Sequence, residues 1–277
     1  MNDLISVDDL KNSQLEDNVL LFDCRFNLKD SEAGQSAYLE AHIPGARYAD
    51  LNKNLSSPHI TGKTGRHPLP DRDSWIHQVN QWGISPQYKV VVYDDVGGAF
   101  ASRMWWMLRW VGHENTALLD GGWQAWLAAA EECSSQIPED IPVSEFDYVG
   151  LEPLTRTIKV EEVDSRMQIL FDAREQKRFD GEMEPIDPIA GHIPGALCSP
   201  GSENLDANGK FKSAAELREK FAPALNTEQQ EVVCYCGSGV SATQNILAMR
   251  IAGLEEPKLY VGSWSEWIID PTRPIAN

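Results

Sequence analysis

One stretch in the C-terminal half decides the fold: Val232-Val233-Cys234-Tyr235-Cys236-Gly237-Ser238-Gly239-Val240-Ser241-Ala242. Its first four residues are apolar and mostly β-branched or aromatic, which predicts a buried parallel strand. Two glycines then interrupt the strand, and a helical pattern begins near Val240, with Gly253 as its C-terminal stop. The stretch therefore predicts a strand, a glycine-rich turn and a helix in succession, with Cys236 where the strand ends.

This location gives Cys236 a specific chemistry. Gly237 and Gly239 let the backbone curl so that successive N–H groups point into one concavity, and the helix that follows adds the partial positive charge of its N-terminus. Such surroundings lower the pKa of a free thiol from roughly 8.5 to about 3.5–7.5. We therefore predict that Cys236 is a thiolate at neutral pH. The alternative, a small buried cysteine packed as a hydrophobic residue, leaves the glycines without a purpose.

Composition and charge limit the class of protein. The 277 residues suffice for one large or two ordinary domains, and a hydrophobic fraction of 42% with nine tryptophans predicts a well-packed globular chain. The net charge of −18, from 42 acidic and 24 basic side chains, repels nucleic acids and anionic membrane surfaces, so we expect neither as a partner.

Targeting signals and cysteine usage indicate a compartment. No apolar run approaches the roughly 20 residues of a membrane helix, and the N-terminus lacks the pattern of a signal peptide. The five cysteines are odd in number and unevenly spaced, so a disulfide framework is not expected. We expect a cytoplasmic location, which also suits a reactive thiol.

The chain is an internal duplication. Four segments recur in the same order at offsets of 141 to 150 residues: Leu21–Arg25 as Leu170–Arg174, His42–Ala46 as His192–Ala196, Val90–Tyr93 as Val232–Tyr235, and Gly121–Trp126 as Gly262–Trp267. Each copy alternates short apolar strands with helical patterns, which predicts an α/β unit with a mainly parallel sheet and helices on both faces. The predicted division is residues 1–130, an acidic linker over 131–154, and residues 155–277.

The two copies differ where the chemistry is expected. When Tyr93 is aligned with Tyr235, Asp94 lies opposite Cys236. A carboxylate cannot replace a sulfur nucleophile, so we predict that the first copy is catalytically inactive and the second copy carries the active site.

These features together resemble the rhodanese superfamily. The resemblance is carried by the loop from Cys236 to Ala242, by both His-Ile-Pro-Gly-Ala motifs and by the tandem duplication, and it covers nearly the whole chain. The loop is similar to that of two-domain 3-mercaptopyruvate sulfurtransferases, which read Cys-Gly-Ser-Gly-Val-Thr, with Ser241 in place of the threonine. Thiosulfate sulfurtransferases typically have Arg-Lys after the cysteine, and this chain has neither there.

The resemblance implies two tandem rhodanese-like domains and a ping-pong sulfur transfer. A small anionic donor, with 3-mercaptopyruvate favoured, would give its sulfur to Cys236 as a persulfide, and a thiol such as thioredoxin or a small thiol, or cyanide, would accept it. Loop residues Gly237, Gly239, Val240 and Ser241 would bind the substrate, and no cofactor or metal is required. Two alternatives stay open: a thiosulfate:cyanide sulfurtransferase and a non-catalytic rhodanese-like binding module.

Further site residues follow from the same resemblance. Arg178 matches the arginine that binds the substrate carboxylate, a role that suits guanidinium geometry, although a surface ion pair is the alternative. Ser238 and His67 match the positions of a proton relay, although His67 could equally be a solvated loop histidine. The motif histidines His42 and His192 are expected to hold turns without taking part in catalysis.

Three departures from the family pattern leave the donor open. The family usually has a second arginine several residues after the position of Arg178, whereas Glu184-Pro185-Ile186-Asp187 contains none. The acidic member of the relay falls on Asn52, with Asp50 as a substitute, and Val261 occupies a position that is often aspartate.

The residues argue against two other kinds of site, a cysteine-phosphatase loop and a metal or redox pair of cysteines. Cysteine phosphatases place an arginine six residues after the cysteine, and this chain has Ala242 there, so phosphatase activity is not expected. Cys234 and Cys236 share one face of the strand, which admits a metal or redox pair, but two thiolates do not complete a zinc site. We expect Cys234 to be buried and inert.

Overall fold

The computed structural model describes residues 3–14, 18–139, 141–225 and 231–277. The chain forms two compact units: unit 1 comprises Met1–Ser57, Leu69–Thr155 and Ala207–Lys210, and unit 2 comprises Pro58–Pro68, Arg156–Asp206 and Phe211–Asn277. The domain division at 1–130, 131–154 and 155–277 stays a prediction. The compact units differ from this division, because the segment Pro58–Pro68 of the predicted first domain belongs to unit 2.

Unit 1 contains a five-stranded parallel sheet within its described residues, in the order β1-β5-β4-β2-β3. Its strands are β1 (Leu4–Ile5), β2 (Val19–Asp23), β3 (Ala46–Tyr48), β4 (Lys89–Tyr93) and β5 (Thr116–Leu119). Its helices are α1 (Val7–Gln14), α2 (Ala33–Glu40), α3 (Arg72–Gln81), α4 (Ala101–Trp110) and α5 (Gly122–Ala128).

Unit 2 repeats this plan with the sheet order β6-β10-β9-β7-β8, again parallel throughout in the residues described. The strands are β6 (Thr157–Ile158), β7 (Gln168–Asp172), β8 (Leu197–Cys198), β9 (Glu231–Tyr235) and β10 (Lys258–Tyr260). The helices are α6 (Gln176–Phe179), α7 (Ala214–Phe221), α8 (Ala242–Ile251) and α9 (Ser263–Trp267), with 3₁₀ turns at Val160–Glu162, Gly201–Asn204 and Ala222–Ala224.

Burial along the central strand of unit 1 explains why its sequence is continuously apolar. Val91 and Tyr93 of β4 belong to a core cluster with residues of α5, and Val90 and Val92 are also fully buried. Since successive side chains of a strand point to opposite faces, both faces of the sheet are covered. The predicted fold class, two α/β units with mainly parallel sheets, is confirmed.

The recurring sequence motifs form equivalent polar networks inside the two units. In unit 1, Arg25 binds the Asp23 carboxylate through Nε and Nη2, Tyr93 Oη donates to the same carboxylate at 2.9 Å, and the guanidinium lies 4.6 Å from the Trp123 ring centroid. Unit 2 repeats the aspartate–arginine pair and the arginine–tryptophan stacking with Asp172, Arg174 and Trp264. The duplicated motifs therefore stabilise each unit, since buried charges need partners of this kind.

The His-Ile-Pro-Gly-Ala motifs are structural turns. His42 Nδ1 lies 2.7 Å from the Tyr38 carbonyl oxygen, and His192 Nδ1 lies 2.8 Å from that of Phe179. Each imidazole also stacks on the ring of the same partner. These contacts agree with the expectation that the motif histidines hold turns.

Helix limits follow the glycine signals in the sequence. Gly112 and Gly253 follow α4 and α8 with φ of +89° and +68°, a conformation that a Cβ disfavours. The large side chains Met104, Trp105 and Trp106 of α4 are fully buried, as expected for a core helix. In the part of the chain that the structure describes, no helix is long and apolar enough to cross a membrane.

Candidate active site

Cys236 lies directly after β9, at the carboxyl end of a central strand of unit 2. The residue is 2% exposed, so a reagent must enter the concavity of the loop to reach its sulfur. The start of α9 fixes its backbone, because Cys236 N–H donates to Ser263 Oγ at 3.0 Å and the Cys236 carbonyl accepts from Trp264 N–H at 3.0 Å. Ser263 adopts a φ of +53°, a strained conformation for serine, and its hydroxyl also donates to the Tyr260 carbonyl.

The loop of unit 1 shows what this backbone arrangement binds. Asp94, at the position of Cys236, is fully buried, and its carboxylate accepts four backbone N–H groups. The bonds are Val96 and Gly98 to Oδ1 at 2.9 and 2.8 Å, and Phe100 and Ala101 to Oδ2, both at 2.8 Å. Successive amides of a turn that converge on one group form an anion-binding nest. In unit 1 that nest binds the protein's own carboxylate.

The loop of unit 2 has the same donors without an internal anion. The offset of 142 residues that aligns Asp94 with Cys236 places Ser238, Val240 and Ala242 opposite three of those donors. Among the residues that the structure describes, no protein atom accepts a hydrogen bond from these three amides, whereas Thr243 N–H donates to the Val240 carbonyl at 3.1 Å. Buried backbone N–H groups are almost always paired. These donors therefore suit a negative charge carried on Cys236 or on its ligand.

Ser238 and His67 are in contact in unit 2. His67 Nδ1 lies 2.7 Å from Ser238 Oγ, and both residues are buried, at 7% and 4% exposure. His67 is brought there by the segment Pro58–Pro68, which is held by Arg66 N–H donating to Ser265 Oγ at 3.1 Å. His67 is thus a buried partner of the cysteine loop, and the solvated-histidine alternative is wrong.

Arg178 lies on α6, and its guanidinium approaches the cysteine loop. A Cβ added at Gly237 would lie 3.5 Å from Arg178 Nη2 and 3.7 Å from Nη1. Glu184 holds the other side of this guanidinium, with its carboxylate accepting from Nε at 3.0 Å and from Nη2 at 2.7 Å. Arg178 therefore does form an ion pair, as the alternative interpretation expects. The pair with Glu184 orients the guanidinium toward the cysteine loop and not toward the surface.

Arg66 is a site residue that sequence reasoning missed. Its Nη2 would lie 2.7 Å from a Cβ at Gly237, and its Nη1 forms an ion pair with Asp187, which also accepts from Arg178 Nη2 at 3.2 Å. A second guanidinium therefore lies beside the cysteine loop, although it comes from a segment distant in sequence. A signal was present, since Arg66 immediately precedes the predicted relay residue His67.

Charges near the loop act on one another. Burial lowers the pKa of the Arg66 guanidinium, while the sulfur of Cys236 raises it and the neighbouring Arg178 lowers it further. Burial also raises the pKa of the Cys234 thiol, which lies in β9 with no exposed surface. Cys234 is therefore a buried neutral thiol, as the sequence predicts. Within the described ranges, no cluster of three or more His, Cys, Asp or Glu side chains is arranged to hold a metal ion.

The candidate for the acidic member of the relay is Asp50, and this role stays a prediction. Asp50 belongs to unit 1, where its Oδ1 accepts from the backbone N–H groups of Asn52 and Lys53 at 2.8 and 2.9 Å. This carboxylate closes a local turn. Val261, where the family often has aspartate, contacts the cysteine loop through its backbone. A Cβ at Gly239 would lie 2.2 Å from the Val261 carbonyl oxygen.

The fold places the chain in the class of proteins with two tandem α/β units, each built on a five-stranded parallel sheet in its described residues. The family described as Rhodanese-like domain matches residues 6–129 and 159–270, and the chain belongs to this family.

The relatives narrow this class to enzymes of the sulfurtransferase type. The chain is 44% identical to a protein of Pseudomonas aeruginosa named "Probable 3-mercaptopyruvate sulfurtransferase", over 95% of this chain and 93% of that one. It is 30% identical to "Thiosulfate/3-mercaptopyruvate sulfurtransferase 2" of Arabidopsis thaliana, over 99% and 86%. The solved structure of 3-mercaptopyruvate sulfurtransferase from Leishmania major superposes with a TM-score of 0.84 at 31% identity, covering 96% of this chain and 74% of that one. The chain is thus an enzyme of this type, and the binding-module alternative is not supported.

Proposed function

We propose that this enzyme transfers sulfane sulfur from 3-mercaptopyruvate to a thiol or to cyanide, with Cys236 as the sulfur carrier. The observation that supports this most strongly is the pair of equivalent loops. Four amides bind the Asp94 carboxylate in unit 1. The corresponding amides of Ser238, Val240 and Ala242, in the loop that follows Cys236, have no protein acceptor among the described residues. A loop of this kind stabilises an ionised cysteine and an anionic persulfide.

In the first half-reaction the Cys236 thiolate attacks the thiol sulfur of 3-mercaptopyruvate. A sulfur–sulfur bond forms, the carbon–sulfur bond breaks, and its electron pair passes to carbon to give the enolate of pyruvate. The proton of the donor thiol passes to that carbon. The products are the Cys236 persulfide anion and pyruvate, and the total charge is unchanged.

In the second half-reaction an acceptor attacks the outer sulfur of the persulfide. Cyanide leaves as thiocyanate and regenerates the Cys236 thiolate. A thiol acceptor leaves as a persulfide, and its proton balances the charge. We keep thioredoxin and small thiols as the proposed physiological acceptors, and the cytoplasm as the proposed location.

Ser238 and His67 would move the proton of the first half-reaction. Their hydrogen bond of 2.7 Å within a buried site allows the hydroxyl to pass a proton while the imidazole takes up or returns another. Ser238 lies between Gly237 and Gly239, two residues after Cys236, so its hydroxyl lies on the same short segment as the cysteine.

Thiosulfate is the second candidate donor, because a relative is named for both donors. The two arginines above Gly237 favour the carboxylate. Guanidinium groups bind planar carboxylates through paired N–H donors, and each of these arginines already carries a carboxylate partner, so the site has little surplus charge for a dianion.

The test is steady-state kinetics with both donors on matched variants. Cys236→Ala should abolish transfer from either donor, because no other sulfur lies in the amide loop. Cys234→Ala is the control and should keep most of the activity, since this thiol is buried in β9, two residues before Cys236. Residual transfer by Cys236→Ala, or no transfer by the wild-type protein from 3-mercaptopyruvate, would contradict the proposal.

A further inference from the structure

Resting on the proposed function, we propose that Ser263 is a positioning residue for Cys236. Its side chain is inserted between the ends of β9 and β10 and fixes the backbone of the nucleophile, so that the sulfur points into the amide loop. Ser263 is fully buried, and it is one of two non-glycine residues with a positive φ in the described chain, the other being the exposed Ala130.

The hydroxyl of Ser263 takes the place of a hydrogen bond of the sheet. Leu259 of β10 pairs with Cys234 of β9. In this parallel register the next bond along would join the Cys236 N–H directly to the Tyr260 carbonyl. Instead, Cys236 N–H donates to Ser263 Oγ at 3.0 Å, and the same hydroxyl donates to the Tyr260 carbonyl at 2.9 Å. The hydroxyl therefore bridges two groups that adjacent strands otherwise bond directly, and it separates the ends of the two strands.

The start of α9 holds the backbone of Cys236 at both of its polar groups. The Cys236 carbonyl accepts from Trp264 N–H at 3.0 Å, beside the bond from Cys236 N–H to Ser263 Oγ. Fixing the N–H and the C=O of one residue fixes the direction of its Cα–Cβ bond, which carries the sulfur. A displacement of about 1 Å at a reacting group can lower a rate about 100-fold. The first two residues of α9 therefore control where the nucleophile lies.

Unit 1 has no hydroxyl at the equivalent position. The duplicated segment places Gly122 opposite Ser263, and both residues have a φ of +53°. A Cβ at Gly122 would lie 2.2 Å from the Asp94 carbonyl oxygen, so unit 1 has no room for a side chain there. The unit without a sulfur nucleophile thus has the residue that this backbone conformation favours, whereas unit 2 has a strained serine beside Cys236. Because the strain costs stability, the hydroxyl is what serine contributes at this position.

The test is Ser263→Gly, which removes the hydroxyl and the strain together. Without the hydroxyl, Cys236 N–H can bond the Tyr260 carbonyl directly, as in an ordinary parallel sheet, and the nucleophile shifts. The urea midpoint of unfolding should be equal to or above that of the wild-type protein. The kcat for transfer from 3-mercaptopyruvate to cyanide should fall at least roughly tenfold, with KM within about twofold, because the groups that bind the donor stay in place.

A second measurement does not depend on the donor. The rate at which iodoacetamide alkylates Cys236, followed across a range of pH by mass spectrometry of its peptide, reports how well the amide loop stabilises the thiolate. In Ser263→Gly the pH profile of alkylation should move to higher pH, because the sulfur no longer faces the amides. A residue with a merely structural role would change the urea midpoint and leave this profile in place.

Ala130→Gly is the matched control. It relieves the same kind of strain, at a φ of +55°, but Ala130 is exposed and belongs to unit 1. Its urea midpoint should be equal to or above that of the wild-type protein, while kcat and the alkylation profile should not change. Ser263→Ala keeps the strain and loses the hydroxyl, so it should lower the urea midpoint as well as kcat.

Each outcome for Ser263→Gly decides the proposal. An unchanged alkylation profile or an unchanged kcat would overturn the role of Ser263. A lower urea midpoint would also overturn it, since the serine would then serve to stabilise the fold. Absence of transfer by the wild-type protein would overturn the proposed function alone, because alkylation of Cys236 needs no donor.

Discussion

Positions 237 and 239 both require glycine, but for different physical reasons. At Gly237 a Cβ would meet the flexible ends of two arginines, Arg66 and Arg178. At Gly239 the backbone has a φ of +74° and a Cβ would lie 2.2 Å from the Val261 carbonyl oxygen, which cannot move away. The first glycine therefore leaves room for a ligand, and the second allows the loop to fold.

Alanine at each glycine should separate these two reasons. Gly237→Ala should keep the free energy of unfolding within about 1 kcal/mol, because side-chain ends can shift, and lower kcat/KM for 3-mercaptopyruvate at least roughly tenfold. Gly239→Ala should lower the free energy of unfolding by about 2 kcal/mol or more, from left-handed strain and overpacking. Urea unfolding and donor kinetics on both variants check this. A destabilised Gly237→Ala with unchanged kinetics would contradict it.

Single residues also show how far the sequence could lead. Cys236 and its glycines lie in one continuous stretch, so the local pattern sufficed to place the proposed nucleophile at the end of β9. The contact between His67 and Ser238 spans 171 residues and was expected only through the family resemblance. Arg66 was missed because its role depends on where the segment Pro58–Pro68 packs, and no local pattern encodes that placement.

At the scale of elements, the same strand–loop–helix element occurs in both units, but the amides of its loop are used differently. In unit 1 the loop between β4 and α4 binds the Asp94 carboxylate, which accepts from four backbone amides. In unit 2 the loop between β9 and α8 keeps the equivalent donors of Ser238, Val240 and Ala242 without a protein acceptor among the described residues. The sequence predicted that the first copy lacks a sulfur nucleophile. It did not predict that Asp94, at the equivalent position, accepts hydrogen bonds from the loop amides.

Removing that carboxylate should destabilise unit 1. Asp94→Ala leaves four N–H groups without their acceptor, and those of Gly98 and Ala101 are buried. Each buried unsatisfied donor costs about 1–3 kcal/mol before relaxation, so we expect a loss of at least about 2 kcal/mol. Asp95→Ala is the control, because this neighbouring carboxylate accepts none of the four amides, and it should cost less than about 1 kcal/mol. The check is urea unfolding of both variants. Equal stability of Asp94→Ala and Asp95→Ala would show that the amide bonds contribute little.

At the scale of the whole molecule, sequence repetition predicted two equivalent, mainly parallel sheets, but not which segments belong to each unit. Repeats reveal shared cores, because the motifs Asp23–Arg25 and Asp172–Arg174 lie on equivalent strands. Repeats do not reveal a segment that packs with the other unit. Position in the sequence places Pro58–Pro68 in the first half, whereas the structure places it in unit 2. The predicted linker over 131–154 lies within unit 1, and Tyr148 in this segment is fully buried.

Tyr148 gives the molecule a pH-dependent contact. Its hydroxyl lies 3.0 Å from His113 Nδ1, and His113 Nε2 lies 3.1 Å from the Asn115 carbonyl oxygen, which can only accept. Nε2 therefore carries the proton of the neutral ring, and Nδ1 accepts from the tyrosine. Burial lowers the pKa of His113 from 6.5 to about 4, although the bond to Asn115 acts in the opposite direction.

The lowered pKa of His113 predicts a loss of stability in acid. Between about pH 6.5 and pH 4 the unfolded chain binds a proton that the folded chain does not, so the free energy of unfolding falls as the pH falls through this window. From pH 7 to pH 5 this group should remove about 2 kcal/mol. His113→Gln should be less stable at pH 7 and lose about 2 kcal/mol less between the two values, by urea unfolding. His77→Gln, at an exposed histidine of α3, should keep the wild-type difference, and a His113→Gln variant with an unchanged difference would show that His113 is not the titrating group.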